Sequence, residues 1–401
     1  MDFRRREVLR GVAAGALAAV PAIVASRVSF AAPAAGDARF IFVLLRGALD
    51  GLAAVPPVGD ASYRQLRGDL ALSGVAGLTR LNDLFSLHQS LGFMAEQWQA
   101  RRLSVIHAVA TPYRERSHFD AQDVLESGFV LPHASQSGWL NRALGGLPKT
   151  IQTRQAGVAL GAGVPLLMRG SIEVASWAPS RMPGLEQDTL QRLADLYADD
   201  KLLSRRLADA LAADDMAGSM GDMGGGQGRG NGVQVAQVAA TAAGFLKQQN
   251  GPRVAVFDTT GWDTHANQGS ENGNLAGRLS ALDAGLRALC TELGPVWDRT
   301  VVMVATEFGR TAATNGTRGT DHGTGAAAFL LGGAVRGGRV IADWPGLATS
   351  SLYQGRDLKP TTDLRSVAKS VLRDHMGVTA KLIDTDVFPD SSAAPYIPNL
   401  V

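Results

Sequence analysis

The chain has 401 residues, with 39 Lys and Arg against 37 Asp and Glu, 45% apolar residues and a single cysteine. That apolar fraction supports a packed core, the near-balanced charge leaves no basic block for nucleic acid, and one thiol excludes an intrachain disulfide. The length suits one α/β domain with insertions.

Arg4-Arg5-Arg6-Glu7-Val8-Leu9-Arg10 opens the chain and precedes the apolar, Ala/Gly-rich stretch Gly11–Ala25. Small residues follow around Ser29-Phe30-Ala31 and Ala32-Pro33-Ala34. Together these are the charged region, apolar region and cleavage site of an export signal over residues 1–34. Arg5-Arg6 with Val8-Leu9-Arg10 behind them resembles the twin-arginine motif, with Arg4 standing where Ser or Thr is usual. The apolar stretch is shorter than the roughly 20 residues of a bilayer span. The expectation is a periplasmic or secreted protein, delivered folded by the twin-arginine translocase, with no stable membrane span in the mature chain. Removing residues 1–34 takes away five arginines against Asp2 and Glu7 and leaves 34 basic and 35 acidic residues.

Residues 35–401 read as one α/β domain. Ala38–Leu45 and Leu103–Val109 are apolar strand-like runs, as are Val254–Asp258, Val301–Ala305 and Ala326–Leu331. Helical patterns lie between and after them. His118–Glu126 reads as a helix, Leu275–Leu293 carries Leu275, Leu279, Leu282, Leu286, Leu289 and Leu293 at helical spacing, and Asp363–His375 places Val367, Val371 and Leu372 on one face. Cys290 sits within the leucine stripe, where a packed, inert thiol is expected. Leu185–Asp214 reads as one or two surface helices, and 218–232 as a flexible Gly-rich loop. Continuous apolar strands separated by amphipathic helices predict a three-layer α/β/α sandwich around a mostly parallel sheet. Ligands in such sheets bind beyond the carboxyl ends of the strands.

Asp50, Ser117, Asp263 and Glu307 each follow a predicted strand, which brings distant residues to one rim. Carboxylate oxygen and imidazole nitrogen are what zinc or manganese take as ligands. Asp50 sits in Ala48-Leu49-Asp50-Gly51, where it is either a turn aspartate or a ligand. Asp263 and His265 are two apart in an extended loop and point to the same side. Glu307 and Arg310 follow Val301–Ala305, and Asp321 and His322 lie in the Gly-bounded loop Gly319–Gly325. Ser117 reads as a helix N-cap or as a nucleophile favoured by the helix N–H groups, with His118, Asp120 and Asp123 as ligands or supports. Arg310 and Arg46 are placed to offset an anionic substrate. His88, His107, His133 and His375 read as packing or surface histidines.

Leu45-Arg46-Gly47-Ala48-Leu49-Asp50-Gly51, Arg116-Ser117-His118-Phe119-Asp120-Ala121-Gln122-Asp123 and Gly138-Trp139-Leu140-Asn141-Arg142 resemble the exported bacterial family called domain of unknown function 1501. So do Gly261-Trp262-Asp263-Thr264-His265, Glu307-Phe308-Gly309-Arg310-Thr311, Thr320-Asp321-His322-Gly323 and Gly337-Gly338-Arg339-Val340. That family is similar to the alkaline phosphatase and sulfatase superfamily, which implies an α/β/α fold with a two-metal site. By that likeness Asp50 is the metal-binding Asp after the first strand and Ser117 the nucleophile opening a helix. Asp263 with His265 then serves one metal, completed by His322. The adjacent Asp-His pair of the second metal is replaced by Glu307-Phe308. A single-metal site, a second site supported by Asp321 or His118, and a degenerate site all remain open.

Two functions follow as expectations. The first is a hydrolase of phosphate or sulfate esters using one or two divalent ions, acting on a small anionic or glycan-linked substrate. The second is a non-catalytic exported scaffold or binding protein that keeps the fold.

Overall fold

The computed structural model describes residues 37–401 except 73, 75, 150–155, 162, 179–195, 198–199, 201–202, 206 and 208–230. The predicted export signal, most of Leu185–Asp214 and residues 218–230 of the Gly-rich stretch lie outside the described residues. The strands are β1 (Arg39–Arg46), β2 (Thr79–Arg80), β3 (Ser86–Leu87), β4 (Leu103–Ala110), β5 (Gly157–Leu160), β6 (Ala175–Trp177), β7 (Val254–Thr260), β8 (Thr300–Thr306), β9 (Ala326–Leu331), β10 (Arg339–Ile341) and β11 (Thr362–Asp363). The helices used below are α1 (Gly51–Ala54), α2 (Tyr63–Arg67), α3 (Gly92–Gln99), α4 (His118–Ser127), α5 (Trp139–Gly145), α6 (Asn231–Lys247), α7 (Asn274–Leu293) and α8 (Leu364–Asp374).

The main sheet runs β10-β4-β9-β8-β1-β7-β5-β6, with β11 also on β4, while β2 and β3 form a separate antiparallel pair. β9 is antiparallel to both β4 and β8; the other pairings in the main sheet are parallel. The expected mostly parallel sheet is therefore present, and all five predicted strands lie in it.

Both faces of β1 are apolar. Ile41, Val43 and Leu45 join one core, Phe40, Phe42 and Leu44 the other. This is why the strand reads as a continuous apolar run with no alternation. α6 and α7 cover the first face, with every leucine of the predicted stripe buried. α5 and α8 cover the second through Trp139, Leu140, Val367 and Val371. Cys290 packs at the edge of the first core, where burial pushes its thiol pKa up. Among the described residues no helix is long and apolar enough to cross a membrane.

β1, β7 and β8 run side by side in register, with Leu45 opposite both Thr259 and Thr306. Their carboxyl ends therefore reach one rim together. That rim carries the Gly47 turn, the Asp263 loop and Glu307.

Candidate metal centre

The turn after β1 must let another chain segment pass. Gly47 has φ +119, and a Cβ there would stand 2.8 Å from the backbone N of Asp263. A side chain would displace that segment, so glycine allows the close approach. The Gly47 N–H donates to Glu307 Oε1 at 2.8 Å, joining the turn after β1 to the residue after β8.

Four side chains meet above this rim. His265 Nε2 lies 3.0 Å from His322 Nε2 and 3.0 Å from Asp263 Oδ1, and His322 Nε2 lies 3.1 Å from the same oxygen. His118 comes from the first turn of α4 and places Nε2 3.3 Å from Asp263 Oδ2. One ligand atom each from His118, Asp263 and His322 falls within a 4.8 Å group.

The second nitrogen of each ring fixes where its proton sits. His265 Nδ1 is 3.1 Å from Asp321 Oδ1, His322 Nδ1 is 3.0 Å from the Arg116 carbonyl, and His118 Nδ1 is 2.8 Å from Glu307 Oε1. Carbonyls and carboxylates only accept, so each neutral ring carries its proton at Nδ1 and turns the Nε2 lone pair toward Asp263. Metal-bound histidines have the same habit, with the outer nitrogen held by a carboxylate or carbonyl. His118 Nε2 is buried, with the Asp263 Oδ2 contact at 3.3 Å as its ion-pair partner. Donors sharing one tetrahedral ion at about 2.0–2.2 Å lie about 3.3–3.5 Å apart. The contacts among His265, His322 and Asp263 Oδ1, at 3.0–3.1 Å, are a few tenths of an ångström tighter, while His118 Nε2 stands 3.3 Å from the other Asp263 oxygen, and His118, Asp263 and His322 form a candidate site for a divalent ion.

Electrostatics follow from these bonds. Burial works against the Glu307 carboxylate, but bonds from His118, Gln122 and the Gly47 backbone outweigh it and hold its pKa below the usual range. The bond to Glu307, reinforced by the charge of Asp263, raises the pKa of His118. Burial lowers that of His322. Burial also disfavours charge on Asp263, yet the Arg310 bond keeps its pKa low. The Asn315 bond, followed by His265, lowers that of Asp321.

Several predicted roles change. Asp50 is not among the converging groups. Its buried carboxylate forms an ion pair with Arg67 of α2, accepts from Gln268 Nε2 at 2.7 Å and caps α1 through Leu52 N. Gln268 Oε1 accepts from Thr264 and Thr320, and Thr320 Oγ1 accepts from Arg310 Nε at 3.1 Å. Asp50 thus anchors a buried polar chain that ends where Arg310 grips Asp263. Glu307 and Asp321 lie behind His118 and His265, orienting their rings. Arg310 is buried and bonded to Asp263 and Thr320, so its charge faces the Asp263 carboxylate in place of a substrate. Arg46 is likewise held by Glu126, Asp258 and Gln122 Oε1.

Ser117 occupies the predicted N-cap position of α4, with φ −92 and ψ 125, but its side chain caps no backbone N–H. Its hydroxyl interacts with the Tyr113 phenol. The other histidines behave as expected. His107 is buried and His375 half-buried against backbone carbonyls, His88 is buried, and His133 lies on the surface between Asp120 and Asp123.

Sequence reasoning underrated His118 and missed Gln122, Gln268 and Arg67. A signal existed for two of them. His118 and Gln122 are four apart, one turn of one helix face, and both bond Glu307 Oε1. Nothing in the sequence marks Gln268 or Arg67.

Solved structures similar to this chain include Ps i-CgsB in complex with k-i-k-neocarrahexaose, at 10% identity over 90% of this chain and 77% of that one, TM-score 0.45. The C-terminal periplasmic domain of EcEptC from Escherichia coli, in complex with Zn, is 10% identical over 90% and 89%, TM-score 0.40. A phosphonate monoester hydrolase of Agrobacterium radiobacter is 10% identical over 85% and 74%, TM-score 0.37. No curated protein matches the chain. A family model described as "Protein of unknown function (DUF1501)" matches residues 37–387, and the chain belongs to that family.

Proposed function

We propose that this protein is a metal-dependent hydrolase of phosphate or sulfate esters. One observation carries the reading: three imidazoles, each with Nδ1 tied to an acceptor, turn Nε2 toward a single aspartate. Three like lone pairs beside a carboxylate repel one another unless a cation or proton lies between them. His118, Asp263, His265 and His322 would hold a divalent ion, zinc or manganese by their donor types. Such an ion supplies Lewis acidity toward an ester oxygen and lowers the pKa of a nucleophile it contacts.

The chain's own groups supply the rest. Ser117 adjoins the ligand His118 and opens α4, where backbone N–H groups favour a tetrahedral anion. Its hydroxyl performs no capping duty, which supports reading it as the nucleophile. Glu307 and Asp321 keep two rings in the ligating tautomer, and Arg310 holds the Asp263 carboxylate ionised.

Metal analysis of the purified protein and turnover of p-nitrophenyl phosphate and p-nitrophenyl sulfate test the reading. Near-stoichiometric zinc or manganese, with turnover lost on chelation, is the expected result. Ser117→Ala should keep its metal and lose turnover at least a hundredfold. Retained turnover in that variant would move the nucleophile to water. A second reading, a non-catalytic protein keeping the site, is favoured by Arg310, a buried cation donating to the same Asp263 oxygen that two histidines face. Protein without bound metal and without turnover would establish it.

A further inference from the structure

Gly337-Gly338-Arg339 plays no part in the metal centre. It lies at the opposite rim of the sheet. Arg101 immediately precedes Arg102 and the start of β4, and Arg339 opens β10, which runs parallel to β4 with Arg339 opposite Ser104. The metal ligands follow carboxyl ends of strands, so the eight-residue β4 separates the two rims by about 26 Å.

Arg101, Arg336 and Arg339 line one cleft of about 340 Å³ with Gly337 and Asn399. The surrounding backbone fixes this arrangement. Gly337 N donates to the Arg101 carbonyl at 2.9 Å and Gly338 N to Leu103 O at 2.7 Å. Gly338 has φ +79, and a Cβ there would lie 3.3 Å from Arg101 Cγ and 3.5 Å from its guanidinium. Glycine therefore leaves room for the Arg101 side chain.

Three permanent cations share this cleft, yet among the described residues none pairs with a carboxylate. Arg336 donates to the Asn399 side chain at 3.2 Å, and Arg339 donates to the Asn399 carbonyl. Arg339 Nε is buried without a partner. Elsewhere Arg39, Arg67, Arg116, Arg287, Arg310 and Arg365 each face an acid. Burial, then the neighbouring Arg336, lowers the pKa of Arg339, which is the sign of uncompensated positive charge.

The geometry points to this cleft as a second binding site, for a tetrahedral oxyanion, the phosphate or sulfate group of a soluble ester or of a lipid headgroup. Guanidinium forks match the paired oxygens of such groups, and three around one cleft can each donate to it. The site is separate from the metal centre and does not depend on that reading.

Isothermal titration with inorganic phosphate and with sulfate, at constant ionic strength, tests it. Binding should weaken at least tenfold in Arg101→Gln and in Arg339→Gln, and stay unchanged in Arg287→Gln, where the arginine already pairs with Glu96. Arg101 is exposed, so its variant stays informative if Arg339→Gln fails to fold. Repeating the titration on His322→Ala separates the sites, because binding at the arginine cleft survives loss of the metal centre. Vesicles containing phosphatidylglycerol distinguish the two sources: capture lost in Arg101→Gln assigns a lipid headgroup, and phosphate binding without capture assigns a soluble ester. Chloride replacing phosphate with equal heat, or arginine variants binding as tightly as the parent, would overturn the proposal.

Discussion

His265 and His322 face each other Nε2 to Nε2 at 3.0 Å, each with its other nitrogen already donating to an acceptor. A cation between the two facing nitrogens would relieve their repulsion, and a divalent ion is the natural bridge. His322→Ala and Asp263→Asn should each lower zinc affinity at least a hundredfold by competition with a chromogenic chelator. Binding unchanged in both would remove the site.

Residues behind the ligands should matter less, but measurably. Glu307→Gln keeps a hydrogen-bonding shape while removing the charge that fixes His118. Loss of such an outer partner lowers metal affinity about 10–100-fold. The same titration reads it, and circular dichroism confirms that the fold survives.

How much of this was legible follows from particular residues. The apolar runs of β1, β4, β7 and β8 identified the sheet because strands buried on both faces carry mostly apolar side chains. Asp263, His265 and His322 were legible because acid and imidazole sat close together in short loops. Asp50 misled because a buried carboxylate after a strand reads alike whether it meets an ion or an arginine. Its partner Arg67 is only 17 residues away, yet lies in a short helix with no pattern to flag it. Glu307 was expected as a ligand but lies behind His118, which the sequence offered only as a ligand or support beside Asp120 and Asp123.

The Asp50–Arg67 pair is buried on both sides. Breaking a buried pair from one side leaves an uncompensated charge and costs about 3–5 kcal/mol. Arg67→Met should therefore lower the urea midpoint strongly, and Arg67→Met with Asp50→Asn should recover part of the loss. Equal stability of Arg67→Met and the parent would show that the pair contributes nothing.

His107 and His375 have pKa values lowered to about 4, in each case chiefly by burial. The unfolded chain, near the ordinary 6.5, binds more protons than the folded one between these values. Their stabilisation is therefore complete above about pH 6.5 and is lost as pH falls toward 4, by about 1.4 kcal/mol per pH unit for each group. Urea unfolding with chelator present, at pH 7.5, 5.5 and 4.5, should show this fall. A flat profile would contradict the assignment.

Replacing Arg5 and Arg6 together with Lys should strand the precursor in the cytoplasm, as read by immunoblotting of cell fractions. Unchanged export would rule out the twin-arginine route.

β1 is made early, yet both its sheet neighbours come late. Leu45 bonds Thr306 across 261 residues, and Arg46 reaches Asp258 across 212. At roughly 5–20 residues per second of synthesis, β1 waits about 10–50 seconds for a partner. Until then an apolar strand with two open edges is exposed, and a chain dominated by such distant pairings closes slowly. The innermost part of this sheet is thus the first synthesised and among the last completed. A chain built this way gains from a holding chaperone at its N-terminal region while the ribosome finishes, and from a delivery step that begins only after synthesis has ended.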